Sequence, residues 1–504
     1  MKLLCLLLAL SLAVPAGAEP FEPGQELNQP LVTAVTANAL AFMVPRTLQP
    51  VTAQELALWG LRGIPALDSR LTLALSDEKV ELLRDGRPLV ALSAPLPDDA
   101  GGWGATIGVM AEAAWDASHA VRRIGTEGVL ATFFDAMCSH LDPYSRYLPP
   151  ARALSDEAWR SGTAGVGLTL VRRGGGYVIG AVAPGGPADA VGLRPGDRVV
   201  GVDGTRLHTL PTKQAAGLLA GPAASTVLLE LRQADGQRRD IVLTRALVPP
   251  PTVLARRVGP LLVLRITGFA SDTGARLAYE IVHGLAARPA PRGLVLDLRD
   301  NRGGLLLQAV AAADALIPSG TVARTLGRDP QAAHDFRADG IDLAHGLPVV
   351  VLVNNGSASA AEILAAALAD QGRGVVVGSS TFGKGLVQTI DPLPDGGELL
   401  ITWSRVLAPR GWPLQDLGVM PQVCTSLGSV SLQQQLAALR GGTSLLAEAL
   451  RQDRAARAPL ATAEIDRLRA VCPPASGPQG MLAAAQALVQ SPKAYTSALL
   501  SPAR

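Results

Sequence analysis

LPVVVLVNNGSASAAEILAAALAD, residues 347–370, reads as a strand, a turn and a helix. Leu347 to Val353 is a continuous apolar run, the pattern of a strand buried on both faces. Asn354-Asn355-Gly356 breaks the run. Ser359 to Asp370 is rich in alanine and leucine, the best helix formers. The same alternation extends to both sides. Strands are predicted at Leu261–Ile266, Gly293–Leu298 and Gly374–Gly378, and helices at Thr273–Ala287 and Gly304–Ile317. Strands alternating with helices imply an α/β core with a mainly parallel sheet and flanking helices.

Ser359 stands just after a buried strand and opens a helix. Reacting groups in α/β sheets gather at such carboxyl ends of strands. The helix start also offers unpaired N–H groups to a developing oxyanion. A simpler reading is open for the same residues: Ser357 or Ser359 caps the helix, with Glu362 completing a capping box.

A serine hydroxyl needs a base beside it. None of the six histidines falls in a motif, and no G-x-S-x-G surrounds Ser359. The segment TFGKGLVQ, residues 381–388, supplies a lysine instead. Phe382, Gly383, Gly385, Leu386 and Val387 are small or apolar, and burial favours a neutral amine. Gln388 is placed to orient Lys384. Upstream, LVLDLRDNRGG, residues 294–304, ends a strand in Gly303-Gly304, which permit close backbone approach. The spacing is neither a P-loop nor a dinucleotide fingerprint. An oxyanion-hole contribution fits it better.

The rest of the chain sets limits. With 504 residues, 48% of them hydrophobic and 17% charged, the chain holds two or three sizeable domains. A net charge of +2 without a basic block gives no nucleic-acid stripe. No HExxH or CxxC is present, so no metal site or cofactor is expected. Residues 1–18 read as a signal peptide: Lys2, the apolar run Leu3–Val14, then Ala16-Gly17-Ala18 before the cut. Export, most simply to a periplasm, follows, with no stable membrane span. Three cysteines then remain. Cys424 and Cys472 are suited to pair and tie down the tail in an oxidising compartment, while Cys138 falls in an apolar helical pattern and reads as a buried thiol. Residues 19–118 show no clear fold. His119–Leu141 is a predicted helix, ended by LDPYSRYLPP, and residues 161–247 form a small β-rich unit. Residues past Cys424 read as a helical tail.

LDPYSRYL, the Gly165–Leu168 loop, GLRPGDRVVGVDG, ITGF, LDLRDNRGG, NNGSASAAE and TFGKGLVQ occur in this order over about residues 120–424. Together they resemble the carboxyl-terminal processing peptidases, serine proteases with a Ser–Lys pair and an inserted PDZ domain. The resemblance implies Ser359 as nucleophile rather than Ser357, Lys384 as general base and Gln388 as its orienting partner. It implies backbone N–H groups of Gly303 or Gly304, and of Ala360, as the oxyanion hole. Asp370 matches a position linked to activity in some members, or is a structural helix residue. Gly165, Val166, Gly167 and Leu168 would hold a substrate C-terminal carboxylate, with an extended chain end added as a strand. Tyr144, Ala361 and Gln422 depart from residues common in the family.

The expected divisions are a signal peptide (1–18), an N-terminal region (19–118), a joining helical segment (119–160), the PDZ domain (161–247), the protease core (248–424) and a helical tail (425–504). The expected function is an exported endopeptidase acting on protein or peptide substrates with apolar C-termini, with an adaptor protein as a further partner. The alternative is a PDZ-type scaffold on an inactive protease fold. The oligomeric state is open.

Overall fold

The computed structural model describes residues 26–76, 78–232, 237–477 and 480–503, so the signal-peptide segment lies outside the described residues. The chain divides into two compact units. One takes in the described residues up to Ala41, with Val51–Pro143 and Leu393–Asp395. The other comprises Phe42–Pro50, Tyr144–Pro392 and Gly396–Arg504.

In the first unit a three-stranded antiparallel sheet, Leu71–Leu75, Lys79–Arg84 and Arg87–Ser93, accompanies a helical core. Helices Ala53–Leu61, Ala100–Ala117 and Gly125–Cys138 bury Leu56, Trp103, Met110 and Phe134. The helix expected over 119–141 is broken. His119–Arg123 and Gly125–Cys138 are separate helices, and Gly125, which opens the second, has φ 70°. That left-handed backbone suits glycine and stops the first helix. Cys138 is buried as expected, and burial pushes its thiol up to about 12.

In the second unit the core sheet runs Val253–Val258, Leu261–Ile266, Gly293–Asp297, Val349–Val353, Val375–Gly378, Val423–Cys424. The first pair is antiparallel and the rest are parallel. Residues alternate between the two faces. Leu262, Leu264, Leu294, Leu296, Val349, Val351 and Val353 pack against helices Thr273–Ala286, Leu306–Asp314 and Ala360–Asp370. Leu261, Val263, Val295, Val350, Leu352, Val375 and Val377 face the opposite way. The tail covers that second face: Leu436 and Leu439, then Met481, Leu488, Tyr495 and Ala498, pack onto it. The Tyr495 hydroxyl accepts from Val349 N–H at 2.9 Å and donates to Arg373 O at 3.1 Å. The tail therefore supplies the cover of one face of the core sheet.

A second, antiparallel sheet pairs His334–Ala338, Gly320–Gly327, Glu398–Leu407 and Leu386–Pro392 in that order, and Arg146–Leu148 adds to Glu398–Leu407. The β-rich insert is a six-stranded sheet with Leu168–Arg173 at one edge, closed over Tyr177, Leu193, Leu207 and Leu229. The short helix Thr212–Gly217 lies along the edge strand.

Cys424 and Cys472 form a disulfide across 48 positions of sequence. Closing a loop of that size removes about 4 kcal/mol of entropy from the unfolded chain. The double variant Cys424→Ser/Cys472→Ser is expected to unfold at a distinctly lower denaturant midpoint. Coincident unfolding curves for the two proteins would show that the loop was already restrained without the bond.

Candidate active site

Ser359 is the N-cap of helix Ala360–Asp370, with φ 56° and ψ −119°. A β-carbon disfavours this backbone by about 1–3 kcal/mol, a strain that surrounding structure must enforce. Two loops enforce it. Asn354 Oδ1 accepts from Asp300 N and Gly356 N at 2.9 and 3.1 Å, and its amide donates to Asp300 Oδ1 at 2.8 Å. Ala358 N donates to Asn301 O at 2.9 Å. Ser357 is committed elsewhere: its hydroxyl donates to Leu298 O at 2.8 Å and accepts from Asn354 N at 3.0 Å. Ser359 and Glu362 form a capping box, and the first-turn amides of Glu362 and Ile363 donate to the Ser359 carbonyl at 2.8 and 3.0 Å.

The glycine turn lies against the serine. A β-carbon at Gly303 would sit 2.8 Å from Ser359 Cβ and 3.0 Å from Ala360 N. Gly303 and Gly304 have φ 98° and 139°, which glycine tolerates. The Gly303 N–H, one of the expected oxyanion donors, is already spent on Asn301 Oδ1 at 2.8 Å. Gly304 N–H has no partner among the described residues: Phe269 N donates to Gly303 O, and Leu305 N to Phe269 O. Gly304 and Ala360 are the donors left. The strand before this turn ends in Asp297, 2% exposed, gripped by the Arg299 fork at 2.7 and 2.6 Å. Burial alone would raise the Asp297 carboxyl; the Arg299 hydrogen bonds and charge outweigh it and hold it below its usual range.

Lys384 is not on a strand. It lies in an irregular stretch that ends where Leu386 opens a strand. Its Nζ donates to Gln388 Oε1 at 3.0 Å, and Gln388 Nε2 donates to Thr402 Oγ1 at 2.9 Å, which fixes the amide's direction. The Tyr144 ring lies 4.6 Å from Nζ.

Glu362 joins the two segments. It is fully buried. Oε2 accepts from Ser359 N at 2.7 Å and from Lys384 N at 2.9 Å. Oε1 accepts from Gly383 N at 2.7 Å and from the Thr381 hydroxyl. A single oxygen thus receives the backbones of both the serine and the lysine. Burial pushes the carboxyl up, against four donors that pull it down. The three-residue spacing from Ser359 suggested only a capping box. Nothing local in the sequence told that residues 381–384 fold onto the same carboxylate.

Asp370, at the far end of the helix, is buried and accepts from Trp412 Nε1 at 2.8 Å and Arg454 Nε at 3.0 Å. It ties the helix to the tail. In the β-rich insert, Gly165 pairs with Ala246, Val166 is buried, Gly167 has φ 73° and Leu168 opens the edge strand. Among the described residues no group of His, Cys, Asp or Glu could hold a metal ion, and no helix is long and apolar enough to cross a membrane.

The Peptidase family S41 model matches residues 260–425, and a PDZ domain model matches 178–233. The chain is 37% identical over 309 residues to the chloroplastic C-terminal processing peptidase of Tetradesmus obliquus, covering 56% of this chain and 64% of that one. It is 33% identical over 335 residues to the carboxyl-terminal-processing protease of a Synechocystis strain, covering 62% and 78%. The chain belongs to the carboxyl-terminal-processing proteases of family S41. A solved structure titled photosystem II D1 C-terminal processing protease is 35% identical, covering 58% of this chain and 81% of that one, with TM-score 0.35. Ser359, Lys384, Gln388 and both glycines fall inside the S41 segment, and the PDZ segment covers part of the β-rich insert, beginning after its edge strand Leu168–Arg173. Most of the tail lies beyond both.

Proposed function

We propose that this chain is an exported serine endopeptidase that cuts proteins near apolar C-termini through a Ser359–Lys384 pair. The observation that supports the reading is that the backbone N–H groups of Ser359, whose φ is 56°, and of Lys384 both donate to Glu362 Oε2. Lys384, in its neutral form, takes the proton as Ser359 Oγ attacks the scissile carbonyl. Gln388 Oε1 holds the amine in one direction. The oxyanion forms against the N–H groups of Gly304 and Ala360. The proton then passes to the leaving amine, and water, deprotonated by the same lysine, releases the acyl group. The β-rich insert suits capture of a chain end: an extended peptide adds to the edge strand Leu168–Arg173, and the Gly165–Leu168 loop receives its carboxylate. The signal-peptide pattern of residues 1–18 supports export to a periplasm.

The test offers one protein substrate in two forms, one ending in apolar residues and one ending in two aspartates, with Ser359→Ala as the blank. Faster cleavage of the apolar form, with cut sites near the C-terminus by mass spectrometry, is expected. Equal cleavage of both forms would remove the C-terminal preference from the reading. Cleavage of neither would remove the activity.

A further inference from the structure

We propose that Arg469, in the tail beyond the S41 segment, is a positioning residue for Lys384. The proposal rests on the Ser–Lys reading above. Residues 379–385 carry the base yet belong to no strand, so no sheet ladder sets their path. Their backbone is held by single bonds from four directions. Phe382 N donates to Ser357 O at 2.9 Å, in the nucleophile loop. Gly383 N and Lys384 N go to Glu362. Gly383 O accepts from Asp416 N at 2.8 Å. The fourth direction is the tail.

Arg469 closes helix Thr462–Arg469. Its guanidinium donates through one nitrogen to Thr381 O at 2.9 Å. Through the other it donates to Leu417 O at 2.6 Å and Asp416 O at 3.2 Å. One planar fork thus staples the two loops that flank Gly383, three residues upstream of Lys384 at Thr381 and across the chain at Asp416. A flat five-donor group can span three carbonyls, whereas a lysine ammonium acts as a point charge.

The disulfide plants this arginine. Cys472, three residues on, gives its carbonyl to the Ser380 hydroxyl at 2.6 Å. Ala475 O accepts from the Ser379 hydroxyl at 3.0 Å and from Asn355 N at 3.2 Å. The tail therefore grips both sides of the dyad: the stretch leading to the lysine and the loop leading to the serine. A displacement of the order of 1 Å at a catalytic group costs about 100-fold in rate.

The experiment compares Arg469→Ala, Arg469→Lys and Arg467→Ala in the full chain. Arg467 lies on the same helix, is exposed and bonds Gln452. Both Arg469 variants are expected to lose about 10- to 100-fold in kcat with KM within about twofold. Acylation by a serine-directed fluorophosphonate probe should slow in parallel. Millimolar guanidinium ion should restore part of the Arg469→Ala rate. Arg467→Ala should match the wild type. If Arg469→Ala does not fold, Arg469→Lys carries the comparison, with melting midpoints checked throughout. A kcat within threefold of the wild type for a folded Arg469 variant, or an equal loss from Arg467→Ala, overturns the proposal. Cleavage by Ser359→Ala would instead overturn the Ser–Lys reading, so the two failures are distinct.

Discussion

Ser359→Ala and Lys384→Ala are each expected to lower kcat by about 10⁴-fold or more, with the double variant no worse than either alone. Members of a catalytic unit act together, so removing one already removes the covalent route. Without the hydroxyl no acyl-enzyme forms. Without the amine the hydroxyl keeps its proton, and Gln388 Oε1, which accepts from Nζ at 3.0 Å, has no proton to give or take in its place. KM changes little, because neither group binds the remote parts of a substrate. Single-turnover cleavage and fluorophosphonate labelling check both variants. Additive losses in the double variant, or undiminished cleavage by either single one, would separate these residues from the chemistry. A companion variant, Ser359→Gly, is equally inactive but more stable by about 1 kcal/mol, since glycine accepts φ 56° without strain.

Glu362→Ala is expected to have the second largest effect, on two quantities at once. The substitution leaves the N–H groups of Ser359, Gly383 and Lys384 and the Thr381 hydroxyl buried without their acceptor. Leaving buried donors unpaired in this way costs about 1–3 kcal/mol of stability for each. The strained serine and the irregular lysine stretch then relax apart, and kcat falls by about 1000-fold or more. Glu362→Gln preserves the shape and one acceptor oxygen, but turns an NH₂ toward other donors. Its stability loss is smaller, while its kcat loss stays about 100-fold or more. Calorimetric melting and steady-state kinetics on the same preparations measure both. A Glu362→Ala protein with kcat within threefold of the wild type would show that the serine and lysine are held in place by other means.

The sheet was legible, and the candidate serine and lysine could be singled out, because each is written in contiguous residues. Val349–Val353 and Gly293–Asp297 are unbroken apolar runs, and Ser359 and Lys384 lie in short segments with few alternatives. What failed was whatever depends on distant segments meeting. Glu362 looked like a capping residue because only its spacing to Ser359 is local. Gly303 looked like an oxyanion donor because sequence does not show that Asn301 takes its amide. The helix expected from Gly304 starts at Leu306, since Gly304 at φ 139° cannot be helical. The tail looked like an appendage because its apolar residues are spread over three helices, whereas the alternate faces of the strands already required a second cover. Residues 19–118 resisted reading because helices such as Ala100–Ala117 are rich in alanine, glycine and other small residues and carry weak periodicity.

The cover supplied by the tail also orders events in time. Tyr495 meets Val349 across 146 positions of sequence, and Arg469 meets Thr381 across 88. Such distant pairs close late, since the entropy of a long loop is lost before any contact rewards it. In a chain made from its N-terminus, the second face of the core sheet therefore stays uncovered until the tail has been made.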